Sequence, residues 1–186
     1  MAGHIFYGFV VSVDGYIANA QGDIGLPVPQ EALHRHFNVM QERTALNLYG
    51  RRMYEIMRYW DNPPADSQPF ELEYARAWQA TPKVVVSTTL SSVGPNARLV
   101  STDVERTVRH LKAETDGEIE VNGAKLAASL IRYGLVDEFR LYVAPVVLGS
   151  GTPYFEAGLQ LELELLGTES LPQNTTLLRF RPRSRS

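Results

Sequence analysis

Cysteine is absent from this chain of 186 residues. Without a thiol there is no disulfide bond, no cysteine nucleophile and no cysteine-ligated zinc site. Apolar runs are also short, and none approaches the roughly 20 residues of a membrane-spanning helix. The first residues, MAGHIFYGFVV, lack the basic start and cleavage site of a signal peptide. We therefore expect a cytoplasmic protein with no membrane partner.

An excess of charge of one sign is also lacking. The formal net charge is −3, with charged residues at 21% and hydrophobic residues at 44%. Phosphate-driven binding of nucleic acid needs a basic surface, so no nucleic-acid partner is expected. The composition is typical of a folded protein. The length favours a single domain over residues 1–186, with a tail at 182–186 that we expect to be disordered.

Motifs of several common active sites are missing as well. The chain has no GxxxxGK[ST] loop, no GxGxxG after its first strand and no GxSxG. These absences argue against a P-loop NTPase, a standard Rossmann site and an α/β-hydrolase. His34 and His36, two residues apart, would lie on different faces of a helix, so no metal site is expected.

The chain does contain two strands that break at a glycine and continue at once as a helix. In one, a short strand ends at Asn122-Gly123; in the other, Gly50 precedes a short helix. Such a turn points free backbone N–H groups and the positive end of the helix dipole outward, which suits a phosphate. One turn of this kind also occurs for packing reasons, and the second strengthens the ligand interpretation.

Strands and helices are predicted to alternate along most of the chain. Strands are predicted at 4–13, 44–49, 83–87, 97–100, 119–121 and 138–148, and helices at 29–42, 51–58, 70–78, 103–114 and 124–134. Pro29 is assigned to a first helical turn and Asp103 to an N-cap. Segments 159–167 and 175–181 alternate apolar and polar residues like an antiparallel pair. The pattern predicts an α/β fold: a mostly parallel sheet, an antiparallel C-terminal edge and helices on both faces.

Polar turns follow four of the predicted strands. They are residues 12–15, 50–53, 87–89 and 122–125. In an open α/β sheet, ligands collect outside the carboxyl ends of parallel strands, and arginine donors match phosphate geometry. A ligand with several phosphates is therefore one interpretation. The other is that Arg51 and Arg52 are surface residues and both glycines serve tight turns.

Four segments together resemble a known superfamily. They are SVDGYIA (12–18), YGRRMYE (49–55), VVVSTTL (84–90) and NGAKLAASLIRYGLVDEFRLYVAPVVLGSGTPYF (122–155). In order they are similar to the landmarks of the dihydrofolate-reductase-like superfamily, in particular to stand-alone relatives of the riboflavin-biosynthesis reductase domain, the C-terminal part of a bifunctional deaminase-reductase. The resemblance spans about residues 4–180. It implies a three-layer dihydrofolate-reductase-like fold with a twisted, mostly parallel sheet.

The resemblance also implies NADPH as the cofactor and a set of residues that contact it. In the first glycine turn these are Gly50, Arg51, Arg52 and Met53, and in the second Asn122, Gly123, Ala124, Lys125 and Leu126. Ser87, Thr88 and Thr89 would approach the adenosine 2′-phosphate, and Ala18 would line the nicotinamide. Tyr54 and Trp60 are assigned to the substrate side, although both are equally interpretable as core aromatic residues.

Two departures from the family pattern bear on the site. Relatives usually have two glycines where this chain has Asn122-Gly123; asparagine is the least costly replacement if a positive φ is needed. The acid that helps protonate the pterin in dihydrofolate reductases has two candidates here, Glu31 and Asp14. Glu31 is also a favourable first-turn carboxylate, and Asp14 a typical Asp-Gly turn residue.

Three functions stay open at this point. The first is an NADPH-dependent oxidoreductase that reduces a C=N or C=O bond of a small pterin-like, pyrimidine-like or related substrate. The second is 5-amino-6-(5-phosphoribosylamino)uracil reductase of riboflavin biosynthesis, whose deaminase partner would be a separate protein. The third is a protein that binds NADPH or another ligand without turnover. The apolar segment 159–166 would serve a homodimer or an intramolecular strand.

Overall fold

The computed structural model describes residues 2–183. The strands in that range are β1 His4–Val11, β2 Tyr16–Ala18, β3 Thr44–Gly50, β4 Lys83–Val86, β5 Ala97–Val100, β6 Glu118–Asn122, β7 Glu138–Val143, β8 Thr152–Pro153, β9 Leu163–Leu171 and β10 Thr175–Pro182. The helices are α1 Glu31–Arg43, α2 Arg51–Met57, α3 Pro69–Ala80, α4 Val104–Glu114 and α5 Ala124–Arg132, and a 3₁₀ turn at Arg58–Asp61 follows α2.

Eight strands form one sheet in the order β5-β4-β3-β6-β1-β7-β10-β9. From β5 to β7 all neighbours are parallel, whereas β10 runs antiparallel to both β7 and β9. Parallel strands need long crossover connections, and all five helices lie in connections between parallel strands of this sheet. The predicted α/β fold, with its antiparallel C-terminal edge, is confirmed.

One face of the sheet carries the main apolar core. Alternate residues of the central strands point to this face, among them Ile5, Leu48 and Ile119, each with 0% of its surface exposed. They pack against α5 through Leu130 and against α4 through Val108. Burying one such side chain contributes about 1.5–3 kcal/mol, so the two helices are held mainly by apolar contact.

The opposite face is partly polar and is covered by α1 and α3. Leu33 of α1 packs on Tyr142 of β7, and the indole N–H of Trp78 in α3 donates to the Tyr49 hydroxyl at 2.9 Å. Charged residues of β6 and β7 lie on this face as well. Three of them, together with Arg179 of β10, form what we call the buried charge cluster: Glu118, Glu138, Arg140 and Arg179.

The predicted strand at 138–148 is too long, because β7 ends at Val143. The Ala144 N–H still donates to the Val11 carbonyl at 2.8 Å, but Pro145 has no N–H with which to extend the ladder. The chain then turns, and the Val13 N–H donates to the Val146 carbonyl at 2.8 Å. The strand therefore ends before the proline, although the apolar sequence continues to residue 148.

One predicted helix start is wrong. Pro29 lies outside α1, which begins at Glu31 with Gln30 extended at φ −77° and ψ 170°, because the Gln173 side chain accepts the Gln30 N–H at 2.6 Å. Asp103 is the N-cap residue of α4, as predicted, but it has φ 50° and ψ 41° and its side chain makes no capping bond.

The C-terminal antiparallel pair is confirmed, although β9 begins at Leu163 and not at residue 159. Of the tail expected to be disordered, Pro182 pairs with Leu163 and the Arg183 N–H donates to the Glu162 carbonyl at 2.8 Å. Residues 184–186 lie outside the described range. Within residues 2–183 no helix has the length and apolar character needed to cross a bilayer.

Candidate functional site

The polar turns predicted to follow strands meet at one edge of the sheet. β4, β3, β6, β1 and β7 are consecutive parallel neighbours, so their carboxyl ends share that edge. Gly50 ends β3, Ser87 follows β4 and Asn122 ends β6. This edge is the candidate site.

The two glycine turns lie against each other. A Cβ atom at Gly123 would be 3.6 Å from the Gly50 amide nitrogen and 3.8 Å from Cβ of Met53. Gly123 has φ +123°, a conformation that disfavours any residue with a side chain. Leu126 is buried behind the turn and Lys125 is exposed at its mouth. The start of α5, nine residues long, therefore faces the same opening as the Gly50 turn.

Arginine and hydroxyl donors gather beside these turns. Arg51 donates from Nη1 to Thr89 Oγ1 at 3.0 Å, and Arg51, Thr88 and Thr89 are all exposed. Ser87 is buried, and its Oγ accepts the N–H groups of Thr89 and Leu90 at 3.1 Å each. Ser87 thus shapes the turn, while Arg51 and the two threonines present donors to solvent. Because α2 has only seven residues, the guanidinium groups supply most of the positive field.

Arg52 reaches from α2 to the loop that follows β2. Its Nη2 donates to the Gly22 carbonyl at 2.7 Å, and the side chain is otherwise exposed. The same loop is tied at its other end, where Gln173 Nε2 donates to the Val28 carbonyl at 3.2 Å. The loop is therefore held between α2 and the β9–β10 turn.

Ala18, the residue assigned to the nicotinamide, lies where β2 meets β8. Ala18 pairs with Thr152, and a Cβ atom at Gly151 would be only 1.9 Å from the Ala18 carbonyl oxygen. The backbone of Gly151, at φ +145°, therefore passes directly over Ala18. A glycine at 151 is required by this approach.

Asp14 ties the loop after β1 to the loop after β7. Its carboxylate accepts the Leu148 N–H at 3.1 Å and the Gly149 N–H at 2.7 Å. A hydrogen bond from the Ser12 side chain, with those amides, holds the pKa of Asp14 below its ordinary value. A carboxylate kept ionised and occupied in this way supports a structural role for Asp14.

We expect Asp14→Ala to free the loop after β7. Removal of the carboxylate leaves the Leu148 and Gly149 amides without their acceptor, so both should exchange hydrogen at least tenfold faster. Asp14→Asn retains one acceptor oxygen, so the exchange rates of these amides should lie between those of wild type and Asp14→Ala. Hydrogen exchange followed by mass spectrometry over residues 145–151 measures this, and equal rates in all three proteins would contradict it.

The remaining predicted residues lie away from the opening. Tyr54 is 3% exposed and its hydroxyl accepts the Gly94 N–H at 2.8 Å, so it packs in the core. Trp60 is half-buried in the 3₁₀ turn, with its ring 4.9 Å from that of Tyr74. Glu31 is exposed at the start of α1 and pairs with Arg35 at 2.9 Å. Tyr54 touches the Gly50 turn only from the core, where Met53 packs against the apolar cluster that contains Tyr54.

Sequence reasoning missed a polar group beneath the site. Glu120 is 5% exposed and lies on β6 between Phe6 and Asn47 of the neighbouring strands. Two residues on, Asn122 Nδ2 donates to Asn47 Oδ1 at 3.3 Å. A charged residue at alternate positions of a central parallel strand is a signal for such a group, because these strands are buried on both faces.

Comparison with known proteins gives one curated relative and a series of solved structures. The uncharacterized protein YyaP of Bacillus subtilis (strain 168) is 27% identical over 172 residues, which cover 89% of this chain and 88% of that protein. A putative riboflavin biosynthesis protein from Shewanella sp. PV-4 superposes with a TM-score of 0.75 at 22% identity, over 98% of this chain and 99% of that one.

The chain is also similar in structure to a dihydrofolate reductase. Dihydrofolate reductase from Enterococcus faecalis, solved with NADP(H) and RAB-propyl, superposes with a TM-score of 0.67 at 13% identity and 99% coverage of both chains. The fold is therefore dihydrofolate-reductase-like, as the sequence resemblance implied. The model of the RibD C-terminal domain matches residues 3–177, nearly the whole length, and on that match this protein belongs to the RibD C-terminal domain family.

Proposed function

We propose that this protein is an NADPH-dependent reductase that reduces a C=N or C=O bond of a small pterin-like, pyrimidine-like or related substrate. The observation that carries the proposal is the meeting of the two glycine turns, with Gly50 and Gly123 in contact and Arg51 beside them. Family membership and the dihydrofolate-reductase-like fold support a reductase. The substrate class follows from the family and not from the site.

The donors at the site fit a dinucleotide with an extra phosphate. Arg51 gives one of its donors to Thr89, and its Nε lies 3.8 Å from Glu55 Oε2. A guanidinium has five donors, so those on Nη2 are left to bind phosphate oxygens. Thr88 and Thr89 add hydroxyls, and Lys125 adds a positive charge across the opening. We assign Arg51, Thr88 and Thr89 to the adenosine 2′-phosphate, and the Gly123–Leu126 backbone with Arg52 to the pyrophosphate.

Bound NADPH supplies a hydride, and the protein supplies orientation. Ala18, held under Gly151, would give the nicotinamide ring a fixed wall. The proton that completes the reduction has no free side-chain donor among the two candidates. Asp14 is ionised and occupied, and Glu31 is paired with Arg35 on the surface. We therefore assign the proton to water.

Arg51→Ala should raise the NADPH dissociation constant at least tenfold, which corresponds to about 1.4 kcal/mol. The change removes a charged fork at the 2′-phosphate, so NADH binding should change much less. Titration followed by fluorescence transfer from Trp60 and Trp78 to the nicotinamide measures both constants.

Arg106→Ala is the matched control, since Arg106 is an exposed arginine on α4 and its loss changes the net charge equally. It should leave the NADPH constant within twofold. An Arg51→Ala protein that binds NADPH like the control would remove Arg51 from the site. A wild-type protein that binds neither nucleotide would overturn the proposed function.

The riboflavin-pathway reductase is the second candidate, favoured by the family and by the Shewanella structure, which is described as a putative riboflavin biosynthesis protein. Complementation of a riboflavin auxotroph that lacks the reductase separates it from the first. A third outcome, NADPH binding without oxidation across a panel of pterins, pyrimidines and small carbonyl compounds, would identify a binding protein without turnover.

A further inference from the structure

Two buried tyrosines tie the short strand β8 to the centre of the large sheet. Tyr7 of β1 is 0% exposed, and Tyr154, which directly follows β8, is 2% exposed. The Tyr154 hydroxyl donates to the Tyr7 carbonyl at 2.6 Å, and the Tyr7 hydroxyl donates to the Tyr154 carbonyl at 3.3 Å. The two rings pack together with their centres 4.3 Å apart. Side chains and backbone of the two residues are therefore linked in both directions.

Apolar packing alone does not account for the two hydroxyls. The rings of Phe9 and Phe155 have their centres 5.5 and 4.7 Å from those of Tyr7 and Tyr154, so the surroundings suit phenylalanine. A hydroxyl buried among such neighbours costs free energy unless it is hydrogen-bonded. Each hydroxyl here is bonded to the backbone of the other residue, and the pair joins two segments 147 residues apart in sequence.

The strand that follows from this link is too short to hold itself in place. β8 consists of Thr152 and Pro153, and it pairs with β2 at two positions with a register shift between them. These two strands form a sheet of their own. Proline has no N–H to donate, and an isolated two-stranded pair is marginally stable in water at best. The Tyr154 N–H adds one bond to the Gly15 carbonyl at 2.9 Å, and the tyrosine pair supplies the buried attachment of β8 to β1.

The position of β8 in turn decides the position of the wall assigned to the nicotinamide. Ala18 of β2 pairs with β8, and a Cβ atom at Gly151 would lie 1.9 Å from the Ala18 carbonyl oxygen. Since there is no free space between these two backbones, a shift of β8 moves Ala18. On the other side of Gly151, the Asp14 carboxylate accepts the Gly149 N–H at 2.7 Å. Only residues 150–153 lie between the two attachments.

We propose that Tyr154 is a positioning residue for the nicotinamide half of the dinucleotide, acting with Tyr7 through β8. The inference rests on the proposed function, since it assumes that NADPH binds with its nicotinamide at Ala18. Neither tyrosine touches the cofactor in this scheme, because both are buried. The adenosine half is assigned to Arg51 and Thr89, which follow β3 and β4, and β6 separates these strands from β1. The effect of the tyrosines should therefore be confined to the nicotinamide half.

The test compares wild type with Y7F, Y154F and the double variant, because each change removes a hydroxyl and keeps the ring. Isothermal titration calorimetry gives dissociation constants for NADPH and for adenosine 2′,5′-bisphosphate, which carries the 2′-phosphate but no nicotinamide. The NADPH constant should rise roughly threefold or more in Y154F and further in the double variant. The constant for the bisphosphate should stay within about twofold of wild type in all three variants, since its contacts lie on other strands.

Y142F is the matched control for the loss of one buried hydroxyl. Tyr142 is also 2% exposed, and its hydroxyl lies 3.3 Å from the Met40 sulfur on the other face of the sheet. Both constants should stay near wild type in Y142F. If Y154F weakens both ligands equally, or leaves NADPH binding unchanged, the inference is overturned and the proposed function stands. A wild-type protein that binds the bisphosphate but not NADPH overturns the proposed function itself.

A second readout needs no nucleotide. Without the two hydroxyl bonds the backbone of β8 should open more often, so amides in residues 151–155 of the double variant should exchange hydrogen about tenfold faster than in wild type. The same amides should keep wild-type rates in Y142F. Unchanged exchange over residues 151–155 in the double variant would show that the tyrosines do not hold β8, and this result overturns the inference whether or not NADPH binds.

Discussion

Gly151→Ala should abolish NADPH binding and lower the stability of the protein by about 3 kcal/mol. A Cβ atom at this position would lie 1.9 Å from the Ala18 carbonyl oxygen and 2.9 Å from the carbonyl carbons of Ala18 and Asn19. These neighbours are backbone atoms and cannot rotate away, and φ at 151 is +145°. Either β2 separates from β8, or the residues assigned to the nicotinamide move. For a chain of this size the melting temperature should fall by roughly 6–12 °C.

Gly149→Ala is the control for the backbone conformation alone. Gly149 also has a positive φ, +76°, but a Cβ atom there would have nothing within 4 Å. This variant should lose about 1 kcal/mol and keep most of its affinity for NADPH. Thermal unfolding and the fluorescence titration are run on both variants. The comparison separates the cost of a positive φ, which both variants have, from the steric clash with Ala18, which only Gly151→Ala has. If Gly151→Ala behaves like Gly149→Ala, the placement of Ala18 over the cofactor is wrong.

The second large effect is expected for Arg140→Met, which should cost about 4 kcal/mol at pH 7. Arg140 Nε donates to Glu138 at 2.9 Å, its Nη2 pairs with Glu118, and its guanidinium carbon lies 3.8 Å from the centre of the Phe6 ring. The Glu138 side chain is only 3% exposed. Methionine fills much of the volume but takes one of three partners from the Glu138 carboxylate, which keeps Arg179 and His4, and leaves Glu118 without its arginine.

The expected loss depends on pH in a definite direction. Burial alone raises the pKa of Glu138, but hydrogen bonds from His4, Arg179 and Arg140 outweigh it and hold that pKa well below its ordinary value. Its contribution is therefore present above the unfolded value of 4.5 and is lost as pH falls through the lower folded value. The difference between wild type and Arg140→Met should be at its full size at pH 7 and should shrink as pH falls below 4.5, because a protonated carboxyl needs no cation.

Arg181→Met supplies the comparison on the surface. Arg181 makes a two-pronged pair with Glu164 at 2.8 and 2.9 Å, yet both side chains are about half exposed. Exposed ion pairs of this kind typically contribute about 1 kcal/mol or less to the free energy of unfolding. Urea unfolding of the two variants at pH 7 and pH 5 should differ clearly in midpoint. Equal midpoints would show that burial of the charge cluster has no energetic consequence.

The order of elements could be predicted from the sequence because local signals agree with the tertiary fold. Apolar runs such as Val84 to Val86 end in polar turns, and Gly50 and Gly123 mark where strands become helices. The meeting of the polar turns at the carboxyl ends of the strands could be predicted from these signals and from the rules of parallel sheets. The positions of Arg51 and Thr89 in one cluster were anticipated for the same reason.

Predictions were wrong where a distant residue decides the local outcome. Gln30 is extended because Gln173, far along the chain, accepts its N–H. For Tyr54 the sequence leaves the substrate side and the core open; the residue is buried and accepts the Gly94 N–H, a partner that no periodicity in a seven-residue helix indicates. The partners of Glu120 and Glu138 could not be assigned either, since cross-strand neighbours depend on a sheet order that the sequence does not contain.

The sheet order has a consequence for how the chain is made. β1 emerges first from the ribosome, yet its partners are β6 and β7: His4 pairs with Glu118 and Phe6 with Glu138. At about 5–20 residues per second, this strand waits on the order of ten seconds for both neighbours. During that time Ile5, Phe6 and Tyr7, each with 0% exposure in the folded protein, have no native cover. Translation speed and chaperone capacity, more than the stability of the finished sheet, should then set the yield of soluble protein in a host.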